Sequence, residues 1–262
     1  MKSKIVIIIC FFSIKFCYSQ QGLVNYGFIE SLTIGNSIGD DLNAILKFDK
    51  NNSEYVTGQI ALENPEILGQ EKVYINPDGG GFISSGLVVT KNGNQVIINR
   101  KEHLMLSNIK HGKQIYLKEL LPEINWNILS EKKQIGNFTC TKATTSFRGR
   151  NYIAWFTNEI PLPYGPWKLQ GLPGLILEAY NENKNLYWYF KSIQYPKNDI
   201  VIATDLKDEN LNIQTQYLDI NGYSAKLLEI FEKTYEKNLI FGVQNGVEVQ
   251  TVNYNKLFFE KF

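Results

Sequence analysis

The chain has 262 residues, with 27 basic and 26 acidic side chains and a formal net charge of +1. So even a balance gives no electrostatic case for binding nucleic acid. The length is enough for one hydrophobic core to stabilise itself without disulfide staples.

Reading from the start, Lys2 and Lys4 precede an apolar run from Ile5 to Phe12, and Ser19 is a small residue before Gln20. This outlines a secretory signal peptide over residues 1–19, with cleavage after Ser19. The alternatives are a retained membrane anchor, for which the apolar run is short, and a lipid anchor on Cys17, which bulky Phe16 disfavours. Cleavage would leave 24 basic and 26 acidic residues, a charge of −2, and Cys140 as the only cysteine. An intrachain disulfide is then excluded. Residues 20–262 read as a single β-rich domain, with no later segment apolar enough to span a bilayer.

Short alternating runs follow. Val24 to Glu30, Ala44 to Phe48, Tyr55 to Ala61, Val73 to Ile75, Leu87 to Thr90, Val96 to Asn99 and Ile115 to Leu120 are predicted strands. Ala44, Leu46 and Phe48 give one of them an apolar face. Turn residues separate the runs, as at Asp49 to Ser53, Pro77 to Gly81 and Asn92-Gly93. The spacing predicts an antiparallel meander, since most of it leaves no room for helical crossovers.

Between Ile160 and Ile176 the chain concentrates proline and glycine. Pro161, Pro163, Gly165, Pro166, Gly171, Pro173 and Gly174 form a structural loop that specifies one backbone path. Leu172 to Leu175 permits a type II turn with Gly174 at positive φ. Two alternating strands follow, Leu175 to Tyr180 and Leu186 to Lys191, joined by a polar link. Leu186, Trp188 and Phe190 face one way. Tyr187, Tyr189 and Lys191 face the other. Ser224 to Lys237 reads as a helix, with Leu227, Phe231 and Tyr235 four apart and Glu229 able to pair with Lys233. Val247 to Phe259 returns to strand-like composition.

Several of these stretches resemble a known family. Cys140-Thr-Lys-Ala143, Ala154-Trp-Phe156, Ile160-Pro161, Gly165-Pro-Trp167 and Gly171-Leu-Pro-Gly-Leu-Ile176 are similar to the GLPGLI family of secreted Bacteroidetes proteins. The resemblance runs from about Tyr26 to Tyr195 and is less close after Asp205. It implies export and a β-rich fold. It brings no established reaction and no catalytic residues. The β-rich pattern is also broadly similar to periplasmic half-barrels that shelter acyl chains or lipoproteins, a likeness of form alone.

The expected fold is therefore mainly β with a minor helical part: a curved antiparallel sheet or half-barrel, with the C-terminal helix as a candidate cover. Trp155, Phe156, Tyr164, Trp167, Tyr187 and Tyr189 are the candidate ligand-binding residues. The rigid segment is either the lip of an apolar groove or a plug across the sheet, with Trp167 as its anchor. Lys142, Arg148 and Arg150 form a modest basic patch, read either as a site for an anionic group or as a wet strand face.

Catalytic patterns are thin. Cys140 has only His103 and His111 as possible bases, and reads more simply as a buried thiol. Glu159 and Glu178 bracket the rigid segment, but their spacing fixes no glycosidase geometry. Two histidines make a poor zinc site. No cofactor or metal is expected. The predicted function is a non-enzymatic periplasmic or cell-envelope protein, at the outer-membrane periphery or in the periplasm. Its expected partners are a lipid, an acyl chain or an envelope protein. The alternatives are an envelope-directed hydrolase, or an assembly protein recruiting a partner through a sheet edge.

Overall fold

The computed structural model describes residues 20–31, 39–75, 81–84, 87, 89–111, 113–208 and 214–245. The signal segment, most of the Pro77-to-Gly81 turn and the Val247-to-Phe259 strand expectation lie outside the described residues.

The first half of the chain supplies β1 (Gly22–Glu30), β2 (Asp40–Phe48), β3 (Asn52–Thr57), β4 (Lys72–Ile75), β5 (Gly81–Ser84), β6 (Asn94–Asn99), β7 (Leu104–His111) and β8 (Lys113–Leu120). The second half supplies β9 (Asn127–Ile135), β10 (Phe138–Phe147), β11 (Arg150–Thr157), β12 (Leu175–Asn181), β13 (Leu186–Gln194), β14 (Tyr217–Leu218) and the helix α1 (Ile220–Asn245). Among the described residues, twelve strands form one sheet in the order β14-β8-β7-β6-β3-β2-β1-β13-β12-β11-β10-β9, and β4 pairs with β5 separately. Two meanders thus meet where β1 lies beside β13. The sheet is not closed into a barrel.

It is also mixed. The meander is antiparallel, but β14 runs parallel to β8, with Tyr217 opposite Tyr116. This corrects the all-antiparallel expectation, and the cause is connectivity. The chain returns to β8 only after the long segment from 195 to 216, so it is not bound to hairpin geometry.

Side-chain alternation assigns the two faces. Ala44, Leu46 and Phe48 are at most 1% exposed, as their spacing predicts. Across the register, Ala44 lies opposite Tyr26, Leu46 opposite Val24 and Phe48 opposite Gly22, with Phe28 next along β1 and Tyr55 and Val96 on the strands beyond. On the other side come Trp188, Ala179, Ala154 and Ala143. These residues belong to one continuous core, which also holds Ile160, Leu162, Tyr164, Leu169 and Leu172 from the proline-rich segment. We call this the loop-bearing face. On the opposite face, Ile97, Leu106 and Tyr116 form a smaller cluster with Leu206.

The sequence reading named no strand over β7, β9, β10 or β11, and other spans differ from it. The Tyr55 strand stops at Thr57, because Gly58 turns into positive φ and Ile60–Leu62 forms a single 3₁₀ turn. Among the described residues of the predicted Leu87-to-Thr90 strand, Leu87 and Thr90 lie outside the named strands, and Thr90 makes an isolated bridge to Gln59. Strand β9 escapes the pattern because it is an edge. Its sequence, with Glu131, Lys132 and Lys133 in a row, is largely exposed and need not alternate.

Helix α1 extends the predicted Ser224-to-Lys237 span at both ends. Its Tyr223 and Leu227 pack on Ile115 and Leu117 of β8. The predicted Glu229–Lys233 pair forms at 2.6 Å, joined by Lys226 at 2.7 Å. Among the described residues, no helix is long and apolar enough to cross a membrane.

Candidate functional site

The segment after β11 folds as a wedge pinned from both meanders. Within it, Gly171 N donates to Pro163 O at 3.0 Å and Leu169 N to Pro166 O at 3.1 Å. Leu175 N and Ile176 N donate to Ile160 O and Tyr164 O, so the strand that leaves the wedge is stitched to its start. Arg100 holds the Gln170 carboxamide oxygen at 2.9 Å, and Trp126 Nε1 donates to the Gln170 carbonyl at 2.8 Å. Gln170 itself reaches Pro122 O at 2.7 Å. Proline limits the freedom lost on forming such a path.

The two glycines of the hexapeptide play roles opposite to those the turn rule suggests. Gly171 holds φ +96, whereas Gly174 is not in the left-handed region. Gly174 is required for space instead: a Cβ there would lie 2.1 Å from the Thr157 carbonyl oxygen. The expected positive φ at Gly174 is therefore corrected. The backbone of β11 passes too close for any side chain.

Trp167 sits in the left-handed region at φ +54, which is uncommon for a bulky residue. Its ring stacks on Trp188, with centroids 5.9 Å apart and planes 11° from parallel. Phe147 and Tyr152 flank it at 6.0 and 6.1 Å. Three aromatic contacts, each worth about 0.5–1.5 kcal/mol, are enough to hold a strained backbone. Beneath the stack, Trp188 Nε1 donates to the Tyr55 hydroxyl at 2.9 Å.

The sequence candidates divide between the two faces. Phe156, Tyr164 and Trp167 lie with the loop-bearing core, and the first two are at most 2% exposed. Tyr187 and Tyr189 project from the opposite face, where Tyr187 meets Tyr180 at 5.9 Å and Tyr189 at 5.6 Å. Trp155 pairs across the strands with Glu178. Its ring is capped by Lys133 Nζ at 4.4 Å, and that amine bonds Glu178 at 2.6 Å. These six aromatics therefore do not line one groove.

The loop-bearing face retains a cavity of about 40 Å³ between the wedge, the sheet and α1. Phe28, Trp188, Trp167, Tyr223 and Leu227 give it apolar walls. Its polar lining includes Thr57, Asn94, Ser107 and Lys168, and the Asn94 Oδ1 atom is buried without a hydrogen bond. Lys168 is only 2% exposed and bonds Glu119 at 3.3 Å. Arg148, itself at φ +49, bonds the other carboxylate oxygen of Glu119. Lys168 also lies 5.7 Å from the Tyr223 ring centroid. Sequence reasoning missed this ionic cluster and the sheet residues facing it. The available signal was Lys168 itself, the one charge in the run from Pro166 to Leu175. Of the basic patch, Lys142 pairs with Glu131, while Arg148 belongs to the buried cluster.

Cys140 is fully buried. Burial pushes its thiol up to about 12, with Glu159 and Glu178 adding to the rise and Lys133 opposing it. Glu159 accepts a hydrogen bond from Thr139 N at 2.9 Å, and Glu178 is held by Lys133. Among the described residues, no group of three or more His, Cys, Asp or Glu side chains could hold a metal ion.

A family described as "Protein of unknown function (Porph_ging)" matches residues 147–178, the stretch containing the wedge. No curated protein matches the chain. Among solved structures, PNGF-II in its P21 space group has a TM-score of 0.48 and 15% identity, covering 78% of this chain and 32% of its own. In the C2 space group the TM-score is 0.45 at 15% identity, covering 76% and 30%. This chain thus spans about a third of the length of PNGF-II.

Proposed function

We propose that this chain is an exported cell-envelope binding protein that takes an acyl chain or another apolar segment between its loop-bearing face and α1. The observation that carries this reading is the cavity walled by Trp167, Trp188, Phe28, Tyr223 and Leu227 at the junction of wedge, sheet and helix. A mostly apolar pocket with a few placed polar groups is the form of site that small ligands use. Lys2, Lys4, the apolar run from Ile5 to Phe12 and Ser19 support export to the periplasm or outer-membrane periphery.

At about 40 Å³ the cavity has room for little more than water, so an acyl chain needs one of the two covers to move. The covers are held unequally. The wedge contributes Ile160, Leu162, Tyr164, Leu169 and Leu172 to the main core. Among the described residues, the helix joins a cluster of four buried residues, two of them its own. The helix is therefore the part that yields. Each methylene then buried would contribute roughly 0.8 kcal/mol.

Curvature of the sheet toward the wedge fits the same reading. The link 121–126 joins β8 to β9 and reaches at most about 25 Å. Those strands are ten steps apart in the sheet order, roughly 48 Å if the sheet were flat. A partly wrapped sheet brings its edges within that reach and cups the ligand.

A second reading, an envelope-directed hydrolase, is favoured by one observation: the buried Lys168–Glu119–Arg148 cluster beside the cavity. Ionisable groups buried in a cleft mark candidate catalytic sites. Recruitment through a sheet edge has less support, because the charged row on β9 discourages strand addition.

The test is uptake of a fluorescent fatty acid by the exported chain, alongside hydrolysis of p-nitrophenyl acyl esters and glycosides. Saturable uptake that weakens in Trp167→Ala and speeds up in Leu227→Ala supports the binding reading. Turnover that disappears in Lys168→Ala supports the hydrolase. Absence of saturable uptake rejects the acyl-binding proposal.

A further inference from the structure

We propose that the opposite face of the sheet carries a second binding site, for a neutral oligosaccharide, formed by a polar trough and the tyrosine row beside it. The trough is an open depression of about 450 Å³ across β9, β10 and β11, within the size range of small-ligand sites. Asn125, Asn127, Thr144, Ser146, Asn151 and Glu182 supply most of its lining. Five of these six are amides or hydroxyls, which both donate and accept, as sugar hydroxyls do. Glu182 is the sole charged group of the lining, so the trough offers no cation to an anionic ligand.

The central amide is already oriented. Ser146 Oγ donates to Asn151 Oδ1 at 2.5 Å, and Asn151 Nδ2 donates to Glu182 at 3.0 Å. That leaves Asn151 one further N–H and one further acceptor position. A pre-set amide loses little freedom when a ligand binds.

The aromatic part of the site adjoins the trough through strand register. Ile153, which lines the trough, lies opposite Tyr180, and Tyr180 lies opposite Tyr187. Tyr187 and Tyr189 continue the row along β13, all three rings half-buried. Gly27 lets the last ring lie down on the sheet: a Cβ there would sit 2.1 Å from a Tyr189 ring carbon. The Tyr189 hydroxyl donates to Asp41 at 2.6 Å, which fixes the ring in place. Lys184 and Lys191 lie over the Tyr180 and Tyr189 rings, 5.6 and 5.3 Å from their centroids, so the contact is assigned to Tyr187, between them. The face therefore joins aromatic surface to a trough of mostly neutral hydrogen-bonding groups. A pyranose needs that combination, since its C–H face is apolar and its rim is hydroxylated. An acyl chain would leave the amides unpaired, and a polyanion would meet Glu182.

The experiment is a titration of the isotope-labelled exported chain with cellotetraose, maltotetraose and N-acetylchitotetraose, followed by amide shifts. Saturable shifts centred on Asn151, Ile153 and Tyr187 with at least one of the three are expected. Tyr187→Ala should weaken that binding by about tenfold, and Tyr187→Phe should retain it, because the ring face rather than the hydroxyl makes the contact. Asn151→Ala should weaken it with unchanged thermal unfolding. A bound fatty acid should not displace the sugar, which separates this site from the cavity on the other face. The proposal is overturned by absence of saturable shifts with all three sugars, by shifts confined to the loop-bearing face, or by affinity indifferent to both alanine substitutions.

Discussion

The phenol of Tyr26 donates a 2.6 Å hydrogen bond to the carbonyl oxygen of Ile176, tying the first strand to the last residue of the wedge 150 positions later. Both groups are buried, and burial holds the phenol well above the usual tyrosine range. Tyr26→Phe removes the donor and leaves a buried carbonyl unpaired. Its expected cost is about 1–3 kcal/mol in urea unfolding. Tyr164→Phe is the matched control. The Tyr164 hydroxyl is buried without a hydrogen bond, so losing it should be neutral or stabilising.

The two hexapeptide glycines should respond differently to alanine. Gly174→Ala drives a Cβ into the Thr157 carbonyl, and overpacking of this kind costs about 1–3 kcal/mol or more. At Gly171 the nearest atom to an added Cβ is Trp126 Nε1 at 3.9 Å, so space is adequate. The cost there is the backbone at φ +96, about 1–2 kcal/mol. Replacing Gly171 by D-alanine in a semisynthetic chain should recover most of that loss. The same replacement at Gly174 should not.

Glu119 is the shared acceptor of Lys168 and Arg148. Removing one side of a buried ion pair leaves charge in a poorly solvating place, so Glu119→Gln should lose about 3–5 kcal/mol of stability. Lys168→Met keeps the side-chain volume and leaves Glu119 with Arg148, so it should lose less. Guanidinium unfolding of the two variants ranks them. Equal losses would mean that the cluster is not governed by Glu119.

The Cys140 thiol should stay unreactive in the folded protein. With its pKa raised from 9 to about 12, native labelling by iodoacetamide at pH 8 should be negligible at this residue. Labelling should become complete on unfolding, as peptide mass mapping would report. The linkage has a definite sign. Below pH 9 the folded and unfolded states both hold the proton, so the group has no effect. Above pH 9 the unfolded state releases it first, and stability falls until about pH 12. Cys140→Ser should remove that part of the alkaline loss while leaving the contribution of the tyrosines.

Much of this architecture was legible from residue order. The alternation in Ala44 to Phe48 and in Leu186 to Lys191 determined which side chains face the core, because successive strand residues point to opposite faces. The prolines and glycines between Ile160 and Ile176 marked the segment with a single backbone path, since they restrict or extend φ locally. The Glu229–Lys233 pair followed from helical spacing alone. All of these depend on neighbours within a few residues. What only the tertiary structure decided depends on distant partners. Folding of the wedge over the sheet put Trp167 on Trp188. Gly174 is glycine because β11 passes beside it, and Lys168 is buried because Glu119 comes from the other meander. No local pattern carries that information, because these contacts join residues far apart in the chain, and the Lys168–Glu119 pair forms only once the two meanders join along β1 and β13.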